Sequence, residues 1–183
     1  MVPNVIVTHP NAPEDNVDLF YLIGGIFNRF EQAEALAQQL LERIGRMRQQ
    51  HAGITKRVLY LIWRKPWMSV APGTYIDNML RLAGCKTIIV DEEPRYPTVD
   101  DALFRTLEPD LCLLSSEPYP FREKHLEEVR GLCPASTQVQ LVDGEMFSWY
   151  GSRAIQGLDY LADLADSLSR PDSTRAQSSA RLN

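Results

Sequence analysis

From residue 57 onward, short apolar runs alternate with segments of helical character, and this alternation restricts the fold more than any other feature of the chain. Four of the runs predict β-strands, at 57–62, 87–90, 111–115 and 138–142. Helical segments follow them at 74–83, 99–106, 121–131 and 152–168. Continuous apolar strands separated by helices are typical of a parallel sheet that is buried on both faces. The sequence therefore predicts an α/β fold with an open, parallel four-stranded sheet and helices on both faces.

A long amphipathic segment, 29–50, precedes this alternation and is rich in Ala, Leu, Gln and Glu. Its apolar residues recur at helical spacing and include Ala33, Leu36, Leu40, Ile44 and Met47. About 22 residues at 1.5 Å each predict a helical rod of about 33 Å. That is long for a domain of this size.

The first 28 residues predict one short strand and one helix. The strand is the β-branched run VIVT at 5–8, and the helix covers 15–22 and is expected to end at the Gly24–Gly25 pair. An isolated strand cannot satisfy its backbone N–H and C=O groups. The run at 5–8 therefore either joins the main sheet or belongs to a sheet whose other strands are not in this sequence.

Charge and composition argue against several classes of protein. A net charge of -5 argues against a nucleic-acid partner, which normally meets a basic face. No stretch reaches the roughly 18 apolar residues of a membrane span. The N-terminus lacks a basic region followed by an apolar one, so the chain as written is expected to stay in the cytoplasm. The polar tail 169–183 is predicted to be disordered.

The loops that directly follow the predicted strands are rich in aromatic residues and proline: WRKPWM, EEPRYP, SEPYPF and GEMFSWYGSR. The carboxyl ends of parallel strands share one edge of a sheet, where ligands usually bind. Flat side chains on loops stiffened by proline suit a large ligand held by stacking and shape. The aromatic residues predicted at this rim are Trp63, Trp67, Tyr96, Tyr119, Phe121, Trp149 and Tyr150.

Not all of these side chains are expected to serve a ligand. Phe121 and Phe147 are expected to pack beneath their own loops, whereas the three tryptophans are expected to face solvent. Basic residues among the same loops are candidates to pair with carboxylate or phosphate groups of a ligand. They are Arg64, Lys65, Arg95 and Arg122.

The familiar catalytic and nucleotide-binding motifs are absent from the sequence. There is no GxGxxG after a strand, no GxxxxGK[ST] and no GxSxG. The three histidines and three cysteines lack metal-ligand spacing, and His125 is interpreted as an exposed helical residue. Neither a metal site nor a cofactor is predicted.

Carboxylates near the strand ends keep an enzymatic alternative open. They include Glu117 and Glu145, either of which would act as the acid or base of a small cytoplasmic α/β enzyme or sensor that uses the same rim. Acidic residues at these junctions also commonly cap helices.

Three runs of the chain carry a resemblance to a known family. They are RVLYLIWRKPWMSVAPGTYIDNMLRLAGCKTII, RYPTVDDALFRTLEPDLCLLSSEPYPF and VDGEMFSWYGSRAIQGLDYL, and the pieces GTYIDNMLRLAG and LEPDLCLL are the most similar to the family pattern. The match extends from Val2 to about Ala165. It resembles the C-terminal lobe of the helical-backbone substrate-binding proteins, the cobalamin and iron–siderophore receptors of ABC importers.

The resemblance implies a division of the chain. Members of the family have two Rossmann-like α/β lobes bridged by one long helix, with the ligand in the cleft between them. Residues 1–28 would then be the end of an N-terminal lobe that is otherwise missing, 29–52 the bridging helix and 53–168 the C-terminal ligand-binding lobe. The full-length family is periplasmic.

The resemblance also implies a function and a set of site residues. The chain would be a partial, non-enzymatic solute-binding component of an ABC importer that binds a cobalamin-, haem- or siderophore-like compound, with ABC permease subunits as further partners. A non-functional gene fragment is the remaining alternative. The expected ligand-binding residues are Trp63, Pro66, Trp67, Tyr75, Arg95, Tyr96, Glu117, Tyr119, Trp149 and Tyr150.

Overall fold

The computed structural model describes residues 4–51, 55–89, 91 and 94–169. Its α-helices are α1 (Asn16–Phe27), α2 (Phe30–Gln50), α3 (Tyr75–Leu82), α4 (Asp101–Thr106), α5 (Leu126–Leu132), α6 (Glu145–Ser148) and α7 (Arg153–Ser169). Its strands are β1 (Lys56–Trp63), β2 (Trp67–Ser69), β3 (Cys85–Thr87), β4 (Thr98–Val99), β5 (Leu111–Ser115) and β6 (Gln138–Val142). Single turns of 3₁₀-helix cover Pro13–Asp15 and Glu123–His125.

Strand β1 lies at the centre of a six-stranded sheet. It pairs in parallel with β3 on one side and with β5 on the other, and β6 continues the parallel order beyond β5. These four strands confirm the predicted parallel sheet, and β5 and β6 have the predicted bounds. The third strand was predicted at 87–90 but covers Cys85–Thr87, and Val90 lies outside the described residues.

Two short antiparallel strands extend the sheet beyond the prediction. After β1 the chain turns through Lys65, whose φ is +64°, and returns as β2, with Trp63 opposite Met68. Strand β4 then pairs with β2. The sheet is therefore mixed. The sequence predicted a loop at this position because charged residues and a proline lie between two tryptophans.

Side chains of successive β1 residues enter two separate cores, one on each face of the sheet. Val58, Tyr60 and Ile62 join the core covered by α2, α3 and α7. Leu59 and Leu61 join the core covered by α4 and α5. All five residues of β5 are buried as well. Both faces are covered, as continuous apolar strands require.

Helix α2 confirms the predicted long helix, and its buried face is slightly shifted. Ala37 is buried among its apolar residues, while Leu36 is only partly buried. Helix α1 runs through the glycine pair that was expected to end it and closes at Asn28, whose φ is +52°. Gly24 serves packing instead, because a Cβ there would lie 2.6 Å from the Cβ of Ala33 on α2.

Residues 5–8 do not form the predicted strand. They pair with no strand of the described chain, and Val5, Ile6 and Val7 are 74%, 59% and 85% exposed. Exposed apolar residues continue along α1 and into α2, at Tyr21, Leu22, Ile23, Ile26, Phe27 and Phe30. The chain therefore has an apolar surface at its N-terminal end, which we call the α1 face: residues 5–7 and these six residues.

Two further predictions need adjustment. Helix α4 begins at Asp101 rather than at residue 99, because Thr98 and Val99 form β4; its cap is Asp100, whose Oδ1 accepts from the Leu103 N–H at 2.8 Å. The predicted disordered tail, apart from the helical Ser169, lies outside the described residues.

Two helical glycines give a matched test of this packing. A Cβ on Gly157 of α7 would collide with the Met146 carbonyl oxygen and lie 3.2 Å from the Met79 Cε, whereas a Cβ on Gly45 of α2 would meet nothing within 4 Å. We expect Gly157→Ala to lower the free energy of unfolding by about 1–3 kcal/mol. We expect Gly45→Ala to raise it by up to about 1 kcal/mol. Urea denaturation measures both, and a stabilising Gly157→Ala would contradict the close packing of α6 on α7.

Candidate functional site

The carboxyl ends of β1, β5 and β6 lie side by side and bring most of the predicted site residues to one edge of the sheet. Trp63 is the last residue of β1, and Glu117 and Tyr119 follow β5. Trp149 and Tyr150 follow β6 and the short helix α6. We call this edge the aromatic rim, defined by Trp63, Tyr96, Glu117, Tyr119, Trp149 and Tyr150.

The indole ring of Trp149 is contacted both at its N–H edge and over one ring face. Its Nε1–H donates to Oε1 of Glu117 at 2.8 Å, and the Ser148 hydroxyl donates to the same oxygen at 2.9 Å. The guanidinium carbon of Arg153 lies 4.8 Å from the centre of the indole ring, a distance typical of a cation–π contact. Arg153 in turn donates to Oε2 of Glu145 at 3.0 Å. Trp149 nevertheless remains 43% exposed.

The backbone around Glu117 is fixed from the core of the protein. The Ser115 hydroxyl donates to the Glu117 carbonyl oxygen at 2.5 Å and accepts from the buried Tyr60 hydroxyl at 3.2 Å. Burial raises the pKa of Tyr60 well above its ordinary value, so that hydroxyl keeps its proton. The Gly144 N–H donates to the Ser116 hydroxyl at 2.9 Å, which joins the β6 loop to the β5 loop.

A second group of rings surrounds Trp63 at the end of β1. Trp63 is 41% exposed and meets Tyr119 edge to face, with ring centroids 5.7 Å apart. Tyr119 packs on Phe121 and on His125 in the same manner. His125 is buried rather than exposed as predicted, and burial lowers its pKa. Its Nδ1 accepts from the Arg122 N–H at 3.0 Å, so the histidine anchors the loop below Tyr119.

A third group contains Tyr75, Tyr96, Arg95 and Tyr150. Tyr150 is 41% exposed and meets the buried Tyr75 edge to face at 4.8 Å. Burial raises the pKa of Tyr150, an effect that Tyr96 increases and Arg95 reduces. Arg95 donates to the side-chain oxygen of Asn11 at 3.2 Å. Tyr96 is 48% exposed.

Asn16 joins α1 to this group. Its side-chain amide donates to the Pro13 carbonyl oxygen at 2.9 Å and to the Tyr75 hydroxyl at 3.2 Å. Its side-chain oxygen accepts from the Gly151 N–H at 2.6 Å. The fully buried Asn16 thus connects three separate segments, and nothing in the sequence around it signals that role.

The prediction that all three tryptophans face solvent is wrong for Trp67. Trp67 lies in β2 and is only 9% exposed. Its ring stacks on Phe121, with centroids 6.2 Å apart, and Phe104 meets it edge to face. Its Nε1–H donates to Oδ1 of Asp101 at 3.2 Å. The indole therefore belongs to the core, which the unrecognised hairpin explains, while the expected burial of Phe121 and Phe147 is confirmed.

Pro66 lies away from the other rim residues. Together with Lys65 and Trp67 it lines an open groove of about 700 Å³ between the β1–β2 turn, the start of α4 and helix α5. This groove contains none of the exposed rim aromatics. The exposed aromatic side chains of the rim therefore lie outside this groove.

Among the described residues, no cluster of three or more His, Cys, Asp or Glu has the arrangement of a metal site. Within the same part of the chain, no helix combines the length and the apolar character that a membrane crossing needs. Glu145, a carboxylate considered above for acid–base chemistry, is paired with Arg153.

Comparisons with known proteins connect this geometry with one family. A family model described as periplasmic binding protein matches residues 2–134. No relative was found among curated proteins.

Solved structures share the fold at low sequence identity. The vitamin B12-binding protein BtuF of Vibrio cholerae is 16% identical, with a TM-score of 0.73, and the match covers 89% of this chain and 65% of that one. The heme-binding protein HutB of Vibrio cholerae is 16% identical with the same TM-score, over 90% of this chain and 67% of that one. The heme-binding protein RhuT of Roseiflexus sp. is 19% identical with a TM-score of 0.67, over 86% and 65%. These likenesses show the fold, and the chain spans about two thirds of each of these proteins.

The burial of Tyr75 predicts how stability depends on alkaline pH. Burial raises the pKa of Tyr75 to about 12. Below pH 10, near the ordinary pKa of tyrosine, both the folded and unfolded states keep the proton. Between pH 10 and 12 the unfolded state releases it first, so the free energy of unfolding falls, by at most about 1.4 kcal/mol per pH unit for this group.

We therefore expect Tyr75→Phe to show a shallower loss of stability than the wild type in this interval. Urea denaturation repeated from pH 9 to pH 11 measures the slope. Equal slopes in the two proteins would show that Tyr75 ionises equally in the folded and unfolded states.

Proposed function

The chain belongs to the periplasmic binding protein family, and we propose that it acts as the solute-binding component of an ABC importer. The proposed ligand is a cobalamin-, haem- or siderophore-like compound held at the aromatic rim. The solved neighbours include proteins named for binding vitamin B12 and heme, which supports this class of ligand.

One observation carries the proposal: four large aromatic side chains are exposed at one edge of the sheet, and three of them, Trp63, Trp149 and Tyr150, are held by side-chain contacts. Trp63, Tyr96, Trp149 and Tyr150 are each between 41% and 48% exposed. Aromatic rings held on a rigid support bind flat or bulky ligands at little entropic cost. We therefore propose these four residues as ligand contacts.

The other predicted site residues are proposed in different roles. Trp67 and Tyr75 are buried and support the rim from below, and Pro66 belongs to the neighbouring groove. Tyr119 supports Trp63. Arg95 lies near the exposed Tyr150, where its charge suits an acidic group of a ligand.

We propose no catalytic role for the carboxylates of the rim. Oε1 of Glu117 already accepts two hydrogen bonds, and Glu145 is paired with Arg153. A binding surface explains these contacts without acid–base chemistry.

The α1 face is proposed to contact a second lobe. In a two-lobed binding protein the ligand is enclosed between the lobes, with α2 as the bridging helix and residues 1–28 associated with the other lobe. The apolar exposure of the α1 face supports this arrangement, because extensive exposed apolar surface usually marks an interface. ABC permease subunits are the proposed further partner.

Fluorescence titration tests the proposed ligand class. Cobalamin, haemin and a ferric hydroxamate siderophore are each added to the protein while tryptophan emission is followed. We expect saturable quenching by at least one of them. Trp149→Leu and Trp63→Leu should each weaken binding by roughly tenfold, about the contribution of one stacked ring.

Phe30→Leu is the matched control, because it removes an aromatic ring that is 58% exposed but lies on the α1 face. The affinity of this variant for the ligand should stay within about threefold of the wild-type affinity. That change is smaller than the loss of one hydrogen bond would cause. If none of the three compounds quenches saturably, or if all three variants behave alike, the rim is not the binding surface for this ligand class.

A further inference from the structure

We infer that Glu117 is a positioning residue: it sets the orientation of Trp149, and Gly144 provides the space in which it does so. The inference rests on the proposed function in one respect, namely that Trp149 is a ligand contact. Glu117 was expected to contact the ligand itself. The geometry assigns it instead to the indole ring, through which it would act on binding.

The first step is the hydrogen bonding at Oε1 of Glu117. This oxygen accepts from the indole Nε1–H of Trp149 and from the hydroxyl of Ser148, at 2.8 and 2.9 Å. Hydrogen bonds to an ionised acceptor are shorter and stronger than neutral ones. The indole edge is thereby held, and Trp149 cannot rotate without breaking its bond to Glu117. The Ser148 hydroxyl also lies 2.8 Å from the Gly144 carbonyl oxygen and shares its one proton between the two acceptors.

The second step is the support behind Glu117. Its carbonyl oxygen is bonded to Ser115, and Ser115 is bonded to the buried Tyr60 of β1. The orientation of Trp149 is therefore tied through hydrogen bonds to the central strand. A ligand contact on a mobile loop would need no such support.

The third step concerns Gly144, whose backbone conformation does not require a glycine. Its φ is -65° and its ψ is -30°, a helical conformation that every L-residue adopts. A Cβ at this position, however, would collide with the Ser115 hydroxyl and lie 2.7 Å from Cγ of Glu117. The glycine is required by space alone, and the groups that occupy that space are the Ser115 hydroxyl and the Glu117 side chain.

The fourth step concerns the faces of the indole ring. Arg153 covers one face and is itself held by Glu145. Trp149 is nonetheless 43% exposed, so Arg153 leaves part of the indole open to solvent. Stacking with a ligand requires the ring to be presented in a fixed orientation, which the Glu117 contact provides.

The ligand-free protein provides the first test. The chain has three tryptophans, so a ¹H–¹⁵N spectrum resolves three indole N–H signals, which Trp→Phe variants assign. Glu117→Ala and Gly144→Ala should each shift the Trp149 signal and speed its exchange with solvent, while the Trp63 and Trp67 signals stay in place. Glu117→Gln keeps an acceptor oxygen and should largely restore the wild-type signal.

Asp101→Ala is the matched control for these spectra. Asp101 accepts from the Trp67 indole N–H in the same way that Glu117 accepts from Trp149. The variant should move the Trp67 signal and leave the Trp149 signal unchanged. A Trp149 signal that is unaffected by Glu117→Ala overturns the inference whether or not any ligand binds.

Affinity for haemin and cobalamin provides the second test. Glu117→Ala should weaken binding on the order of tenfold, the effect of losing one hydrogen bond to a charged group. Combined with Trp149→Phe it should weaken binding no further than Trp149→Phe alone. If the two effects multiply instead, Glu117 contacts the ligand directly and the inference is wrong.

Binding of neither compound by the wild type would contradict the proposed function for these probes, and the ligand-free spectra would then decide the role of Glu117 by themselves. Urea denaturation of each variant checks that the chain remains folded. Should Glu117→Ala prove unfolded, Glu117→Leu, which fills a similar volume but offers no acceptor oxygen, takes its place in the same comparison.

Discussion

Complete burial of β1 is the constraint on which the rest of this structure depends. Five consecutive residues, Val58–Ile62, are buried, and their side chains enter two cores on opposite faces of the sheet. A strand in that position must satisfy its backbone at both edges. Strand β5 does so along one edge, while β3 and β2 share the other. The position of β1 thereby determines where Trp63 emerges and where the loops after β5 and β6 must lie.

Much of this arrangement was predictable because apolar periodicity is a local signal. Strands β5 and β6 have their predicted bounds, and α2 confirms the long helix. The failures occurred where a distant partner decides the structure. Residues 5–8 are β-branched but have no neighbouring strand among the described residues, so they remain unpaired. The hairpin that buries Trp67 depends on Phe104 and Phe121, which lie far along the chain.

The candidate site divides in the same way. The position of an aromatic rim followed from parallel strands, whose carboxyl ends share an edge. The exposure of Trp63 and Trp149 agrees with it. The individual contacts could not be predicted from the sequence, because Glu117 and Trp149 are 32 residues apart and Asn16 and Gly151 are 135 residues apart. No spacing rule connects such pairs. Only the packed sheet brings them within hydrogen-bond distance.

The packing at Gly144 has a consequence for how this protein can change over generations. A side chain larger than hydrogen at 144 collides with the Ser115 hydroxyl and with Glu117, and Glu117 in turn orients Trp149. The three positions are therefore coupled, so a substitution at one alters which substitutions the others tolerate. A lineage that exchanges the tryptophan first frees the glutamate, while the Ser115 hydroxyl still constrains residue 144; exchange of the glutamate or the glycine first passes through a protein with a displaced indole. The rim is thus expected to evolve by ordered steps that begin at residue 149.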